Sequence, residues 1–116
     1  MNRKFRLSRS IDFKRVRRQG SSFAHPLVVL VRSSSTGLRS RVGISVSRFV
    51  GNAVVRNRTK RVVREILRST ISDLAEANDL VIIARPAIAT ATFSEIKMAL
   101  MDLLKRSRII HPISGQ

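Results

Sequence analysis

Apolar residues recur along this chain in two rhythms. Leu27-Val28-Val29-Leu30-Val31, preceded by Pro26, and Leu80-Val81-Ile82-Ile83-Ala84, ended by Arg85-Pro86, are short continuous runs rich in β-branched residues, and both read as buried strands. From Arg41 to Ser47 the pattern alternates: Val42, Ile44 and Val46 take one face, Gly43, Ser45 and Ser47 the other. Phe23 and Ala24 mark a short edge segment ahead of the first run. Ser33-Ser34-Ser35-Thr36-Gly37 has turn composition, so the alternating strand is expected to return antiparallel. Its second face carries almost no side-chain bulk. Such a face is either covered closely by another element or open to a ligand approaching the backbone, and the pattern alone does not choose.

Three other stretches follow the helical period. Ser10 as a cap, Asp12 in the first turn and Gly20 as a stop bracket a helix from Ile11 to about Gln19. Phe13 and Val16 share one of its faces, and Lys14, Arg15, Arg17 and Arg18 surround them. Thr92-Phe93-Ser94-Glu95 has the form of a capping box and opens a last helix with Phe93, Ile96, Leu100, Leu103 and Leu104 along its apolar side. Met98 and Met101 read as adaptable packing. The remaining stretch, Arg56 to Arg68, holds Arg56, Arg58, Lys60, Arg61, Arg64 and Arg68 against the single acid Glu65. Asn52 is its expected cap, and Gly51 is expected to allow an unusual backbone angle.

At about 100° per residue, Asn57, Lys60, Arg61, Arg64 and Arg68 form one stripe of that helix. Val55, Thr59, Val62 and Ile66 lie roughly opposite. One face can pack and the other can bind. Cations at i, i+3, i+4 and i+7 stand about 5–6 Å apart, similar to successive phosphates, and with one acid nearby they repel each other until something neutralises them. A strand, this helix and a second strand then make a crossover unit with parallel strands.

Charge turns a possible polyanion site into an expected one. The 116 residues form one domain, 1–116, with a single modest core; 1–8 and 108–116 are expected to be flexible ends. Lys and Arg number 23 against 7 Asp and Glu, a formal net charge of +16, so the partner must be anionic in bulk. Arginine predominates over lysine, favouring a planar group that forks onto phosphate and stacks on bases. Asp12 and Glu65 are the only acids before Asp73, which assigns the binding surface mainly to the first seventy residues. No cysteine occurs. Disulfides and thiolate chemistry are thereby excluded, and an intracellular, cytoplasmic location is expected. The charged start lacks the apolar core of a secretory signal, and no apolar run approaches the ~20 residues of a membrane span.

Catalytic constellations are missing from the sequence. His25 and His111 stand apart from acids and from any metal-ligand spacing. The serines have no nucleophile-elbow context, and Gly-rich phosphate loops are absent. Asp73, Glu76 and Asp79 cluster only at the expected end of the basic helix, which does not make a paired-carboxylate metal site. The polypeptide alone is expected to be non-catalytic and to hold no metal.

Gly51-Asn52-Ala53-Val54-Val55-Arg56-Asn57-Arg58-Thr59-Lys60-Arg61, continuing through Arg64-Glu65, closely resembles the arginine-asparagine-arginine signature of the bacterial ribonuclease P protein family. Asp12-Phe13 with Val16 and Gly20, Arg41 to Ser47, and Ile82-Ile83-Ala84-Arg85-Pro86 resemble its other signature segments in the same order. The resemblance implies an α/β domain of sandwich type, order α-β-β-β-α-β-α, with a mixed four-stranded sheet and a left-handed crossover around the basic helix, although right-handed connections are the general rule. It implies a protein that joins a catalytic RNA, one protein per RNA, in cleaving the 5′ leader from precursor tRNA, with Mg2+ held mainly by the RNA. Arg56, Asn57, Arg58, Lys60, Arg61, Arg64 and Arg68 would then be RNA-binding. Phe13 and Arg17, with Ser45 and Ser47 as a small-residue floor, would form a cleft for the single-stranded leader. Arg17 stands where a second phenylalanine can occur, Leu30 replaces a possible tyrosine, and Phe49 takes a place often held by a cation. Leader binding would accordingly lean on charge or on Arg17 stacking. A structural ribosomal protein, also small, basic and α/β, is the competing reading; a self-sufficient nuclease is a third.

Overall fold

The computed structural model describes residues 5–34, 39–70 and 77–107. Helix α1 (Ser10–Gln19) is followed by strands β1 (Ser21–Ala24), β2 (Val28–Ser34) and β3 (Arg41–Ser45). Then come helix α2 (Ala53–Arg68), strand β4 (Asn78–Ala84), a 3-10 helix (Pro86–Thr90) and helix α3 (Phe93–Arg106). The expected order therefore holds, with the 3-10 helix added where Pro86 starts a turn without needing an N–H partner.

The sheet order is β1-β2-β4-β3. β2 pairs antiparallel with both β1 and β4, whereas β3 pairs parallel with β4. β3 does run opposite to β2, as expected, but β4 lies between them. The reason is visible in its residues: β4 is buried over nearly its whole length, and a strand apolar on both faces is most stable with a neighbour on each side. The β3-α2-β4 connection is consistent with the left-handed crossover.

Alternation along β4 divides the interior in two. Leu80 and Ile82 point with Val28, Leu30 and Val42 toward α2 and α3, where Val63, Leu67, Leu100 and Leu103 meet them. Val81 points with Val31 to the other face, where Val16 of α1 and Leu7 close a smaller core. Each such fully buried aliphatic side chain contributes about 1.5–3 kcal/mol by leaving water.

Several local expectations change in three dimensions. Arg9, not Ser10, occupies the cap position of α1 and makes no side-chain cap bond. Gly20 sits in extended backbone, and a β-carbon there would lie 2.5 Å from the Val16 carbonyl and 2.6 Å from that of Arg32. Space, not backbone angle, requires glycine where α1 turns against β2. The same holds for Gly51, whose added β-carbon would come within 2.9 Å of Val55. Phe93 and Met98 are 48% and 73% exposed: Met98 lies opposite the buried stripe of α3, and Phe93 occupies its first turn. Of the expected flexible ends, 1–4 and 108–116 lie outside the described residues. Arg6, in contrast, bridges Val42 in parallel, and Leu7 is buried and donates its N–H to the Val42 carbonyl at 2.8 Å.

One end of the sheet is polar. Asp79, expected at the end of the long helix, is instead in β4 with no exposed surface. Its carboxylate accepts from Arg41 at 3.1 and 3.0 Å and from Arg15 of α1. The Asp79 hydrogen bond holds the Arg41 guanidinium above its ordinary value. Beside it Arg32 donates to Asn78 Oδ1 at 3.1 Å and to the Ser107 carbonyl at 2.7 Å, tying β2 to the end of α3. Asp73 and Glu76 lie outside the described residues.

Candidate nucleic-acid interface

Helix α2 begins where Asn52 Oδ1 accepts the Val55 N–H at 3.0 Å, and its first turn contains no acid, so the positive end of the helix is not offset there. Thr59, Val63, Ile66 and Leu67 are its buried residues. Val55 and Val62 pack at the edge of that core, which centres nearer Val63 and Leu67 than the sequence stripe implied. Thr59 is accommodated because its hydroxyl donates to the Val55 carbonyl at 2.9 Å.

The polar side chains singled out on α2 fall into three groups by flank. Asn57, Arg61 and Arg68 are exposed on the outward face, where Arg68 pairs with Glu65 at 2.9 Å, an exposed contact of little net strength. Arg56, Lys60 and Arg64 are half-buried and, spaced by four, share one row along the helix. Arg58 is on the opposite flank, donating to the Ala89 carbonyl at 3.1 Å. Arg56, Lys60, Arg61 and Arg64 make no side-chain hydrogen bond or ion pair among the described residues, and Arg56 Nε is out of solvent without an acceptor, a donor left over after folding.

Arg64 reaches the edge of β3, along which Arg6 and Leu7 run. There it lines a cavity of about 220 Å3 together with Phe13, Arg6, Leu7, Ser8, Val42 and Ile44. Two residues singled out from sequence on different grounds, Phe13 and Arg64, thus meet at one site. Arg17 is exposed on α1 and does not line it; neither do Ser45, half-buried at the end of β3, and Ser47, exposed beyond it. The small-residue face is the closely covered one at Gly43, where a β-carbon would overlap the Phe13 ring and lie 2.8 Å from the Leu7 carbonyl. Glycine lets the tip of the ring reach the strand backbone. Arg6, Leu7 and Ser8 were missed because the start of the chain reads as a charged end; the lone leucine between Arg6 and Ser8 was the available signal.

Among the described residues no three His, Asp or Glu side chains come together, and His25 Nδ1 accepts the Leu27 N–H at 3.1 Å as a local turn contact. His111 lies outside the described residues. No helix of the described residues is long and apolar enough to cross a membrane. Fold and site together define a small basic α/β protein that presents arginines to an anionic partner.

Comparison with known proteins makes the class specific. Residues 1–108 match the family model described as Ribonuclease P. The ribonuclease P protein component of Brevibacillus brevis is 42% identical over 111 residues, covering 95% of this chain and 88% of that protein; that of Streptococcus pneumoniae serotype 4 is 38% identical over 115 residues, 99% and 94% of the two chains. The solved RNase P protein of Staphylococcus aureus aligns with a TM-score of 0.85 at 33% identity, covering 90% of this chain and 96% of that one. The Thermotoga maritima RNase P protein gives 0.78 at 32%, covering 87% and 96%. The chain belongs to the ribonuclease P protein component family and serves as a protein subunit of that tRNA-processing ribonucleoprotein endonuclease. This decides against the ribosomal alternative.

Proposed function

We propose that the chain docks on the catalytic RNA of ribonuclease P through α2, using Arg56, Asn57, Arg58, Lys60, Arg61, Arg64 and Arg68, and steers the single-stranded 5′ leader of precursor tRNA past Phe13. The observation that carries this is the shared cavity of Phe13 and Arg64: an aromatic ring for base stacking lies beside the row of cations that would meet the RNA partner. Arg6 and Ser8 supply a charge and a hydroxyl at the same edge, and they join the residues expected to meet the leader. Arg17, Ser45 and Ser47 would act further along the strand's path. Stacking on a phenyl ring tolerates any base, at about 1–3 kcal/mol, which suits an enzyme that processes many precursors.

Magnesium belongs to the RNA in this reading. The described residues offer no cluster of carboxylates, and the buried one, Asp79, is taken by two guanidinium groups. One protein per RNA, acting in the cytoplasm, completes the proposal. The test is rescue: with a cognate catalytic RNA, the purified chain should permit precursor cleavage at magnesium concentrations where the RNA alone is inactive. Failure with several cognate RNAs would sink the proposal, and cleavage by the protein without any RNA subunit would replace it.

A further inference from the structure

The other flank of α2 carries a second hollow, and of its lining the docking reading uses Arg58 alone. It lies between α2, the 3-10 helix and the start of α3, has a volume of about 330 Å3, and is walled by Val62, Ile88, Ala91 and Ile96. Arg58 and Phe93 line its mouth. The volume falls at the small end of ligand pockets, which begin near ~300 Å3. Phe93 keeps 48% of its surface exposed although it is on the same side of α3 as Leu100. Arg58 is anchored by one terminal nitrogen on the Ala89 carbonyl, which leaves other N–H groups of the guanidinium available.

An aliphatic wall with Thr59 and Thr90 beside it, an exposed ring and an anchored guanidinium together match a nucleotide: a flat base to stack and a phosphate to bind. No acid among the described residues lines the hollow. The nearest in sequence, Glu95, is engaged by the cap of α3, accepting the Thr92 N–H at 2.8 Å. Arg61, exposed one helical turn after Arg58, stands outside the hollow on the neighbouring outward face. We propose that this groove receives an unpaired nucleobase of the RNA partner, with its face against Phe93 and its phosphate held by Arg58 and Arg61. The proposal rests on the α2 docking reading and extends it to a flank that the Phe13 cavity does not share.

Because the chain contains no Trp or Tyr, Phe93→Trp introduces a single fluorophore at the groove. Its emission should be quenched on titration with the cognate catalytic RNA and unaffected by a fully paired RNA duplex. Phe93→Ala and Phe93→Leu should each weaken binding to the catalytic RNA by a factor on the order of 5 to 100, the range that base stacking spans. The salt dependence should not change, because no phosphate contact is lost. Phe93→Leu keeps apolar packing, so a loss shared by both variants is not a folding effect. Unquenched Trp emission, or Phe93→Leu affinity equal to that of the unsubstituted chain, would overturn the assignment, as would a groove that proves to bind a protein instead. Arg61→Ala separates the two levels: if it weakens binding and the Phe93 variants do not, the groove alone fails; if it too has no effect, the docking reading fails.

Discussion

Removing the Asp79 carboxylate should be among the most damaging single changes in the described structure. The group has no exposed surface, and both of its oxygens are engaged, by Arg41 at 3.1 and 3.0 Å and by Arg15. In Asp79→Ala Arg41 loses its carboxylate partner at the margin of the interior, and Arg15 keeps only the longer contact to Asp12 at 3.7 Å. Breaking a buried pair in this way costs about 3–5 kcal/mol. The side chains of Arg15 and Arg41 remain 23% and 28% exposed, so they can recover part of their hydration, and the lower end, about 3 kcal/mol, is the expected loss. A domain with a total stability of about 5–15 kcal/mol survives that, though with little margin. Urea unfolding followed by circular dichroism should show the midpoint falling by roughly 1–3 M, given a slope of about 1–3 kcal/mol/M. Amide exchange should rise first in α1, which Arg15 ties to the sheet. Replacing all three residues, Arg15→Met, Arg41→Met and Asp79→Leu together, should restore much of the loss, because no buried charge is then left without its partner; the part-exposed Asp12 gives up only its 3.7 Å contact with Arg15. An Asp79→Ala midpoint equal to that of the unsubstituted chain would refute the reasoning.

Gly43→Ala should cost about 1–3 kcal/mol through overpacking, since its β-carbon overlaps the Phe13 ring and meets the Leu7 carbonyl at 2.8 Å; binding assays should show weaker affinity for precursor tRNA with no matching loss for leaderless tRNA. Thr92→Ala should cost about 1 kcal/mol by removing the cap of α3, measurable in the same urea titration. Glu95 is held below the usual carboxylate range by its hydrogen bonds to the Thr92 backbone and side chain. Its contribution is therefore present above the unfolded value and lost as pH falls through the folded one, so Glu95→Gln should be less stable near neutrality and match the unsubstituted chain in acid, as thermal melts across the acid range would show. Arg61→Ala should reduce the slope of log affinity against log salt for RNA by about 0.7–0.9, the share of one phosphate contact; an unchanged slope would remove Arg61 from the interface.

Local chemistry was legible in the linear sequence wherever a residue's partner lies within a turn of it. The Asn52 cap and the Thr92-Glu95 box form as read, because a side chain reaches three residues along a helix whatever the fold. The basic face of α2 was equally legible, since helical period alone separates Arg61 and Arg68 from Thr59 and Ile66. The family signature lies in that same stretch, and for that reason the family could be named from residues alone.

What only the tertiary structure decided depends on contacts between segments far apart in the chain. Insertion of β4 between β2 and β3 follows from its need for two neighbours, which no local period encodes. Asp79 changed from an acid at the expected end of the basic helix to the buried anchor of α1 because Arg15 and Arg41 converge on it from 64 and 38 residues away. The glycines at 20 and 43 looked like a stop and a small-residue floor, and proved to be places where backbone or ring comes too close for a β-carbon. The cavity at the β3 edge joins Arg6 to Ser8, Phe13 and Arg64, residues that share no period and no motif. Sequence determined which side chains are cationic or apolar and on which side of their own helix they stand; packing decided which of those sides face one another.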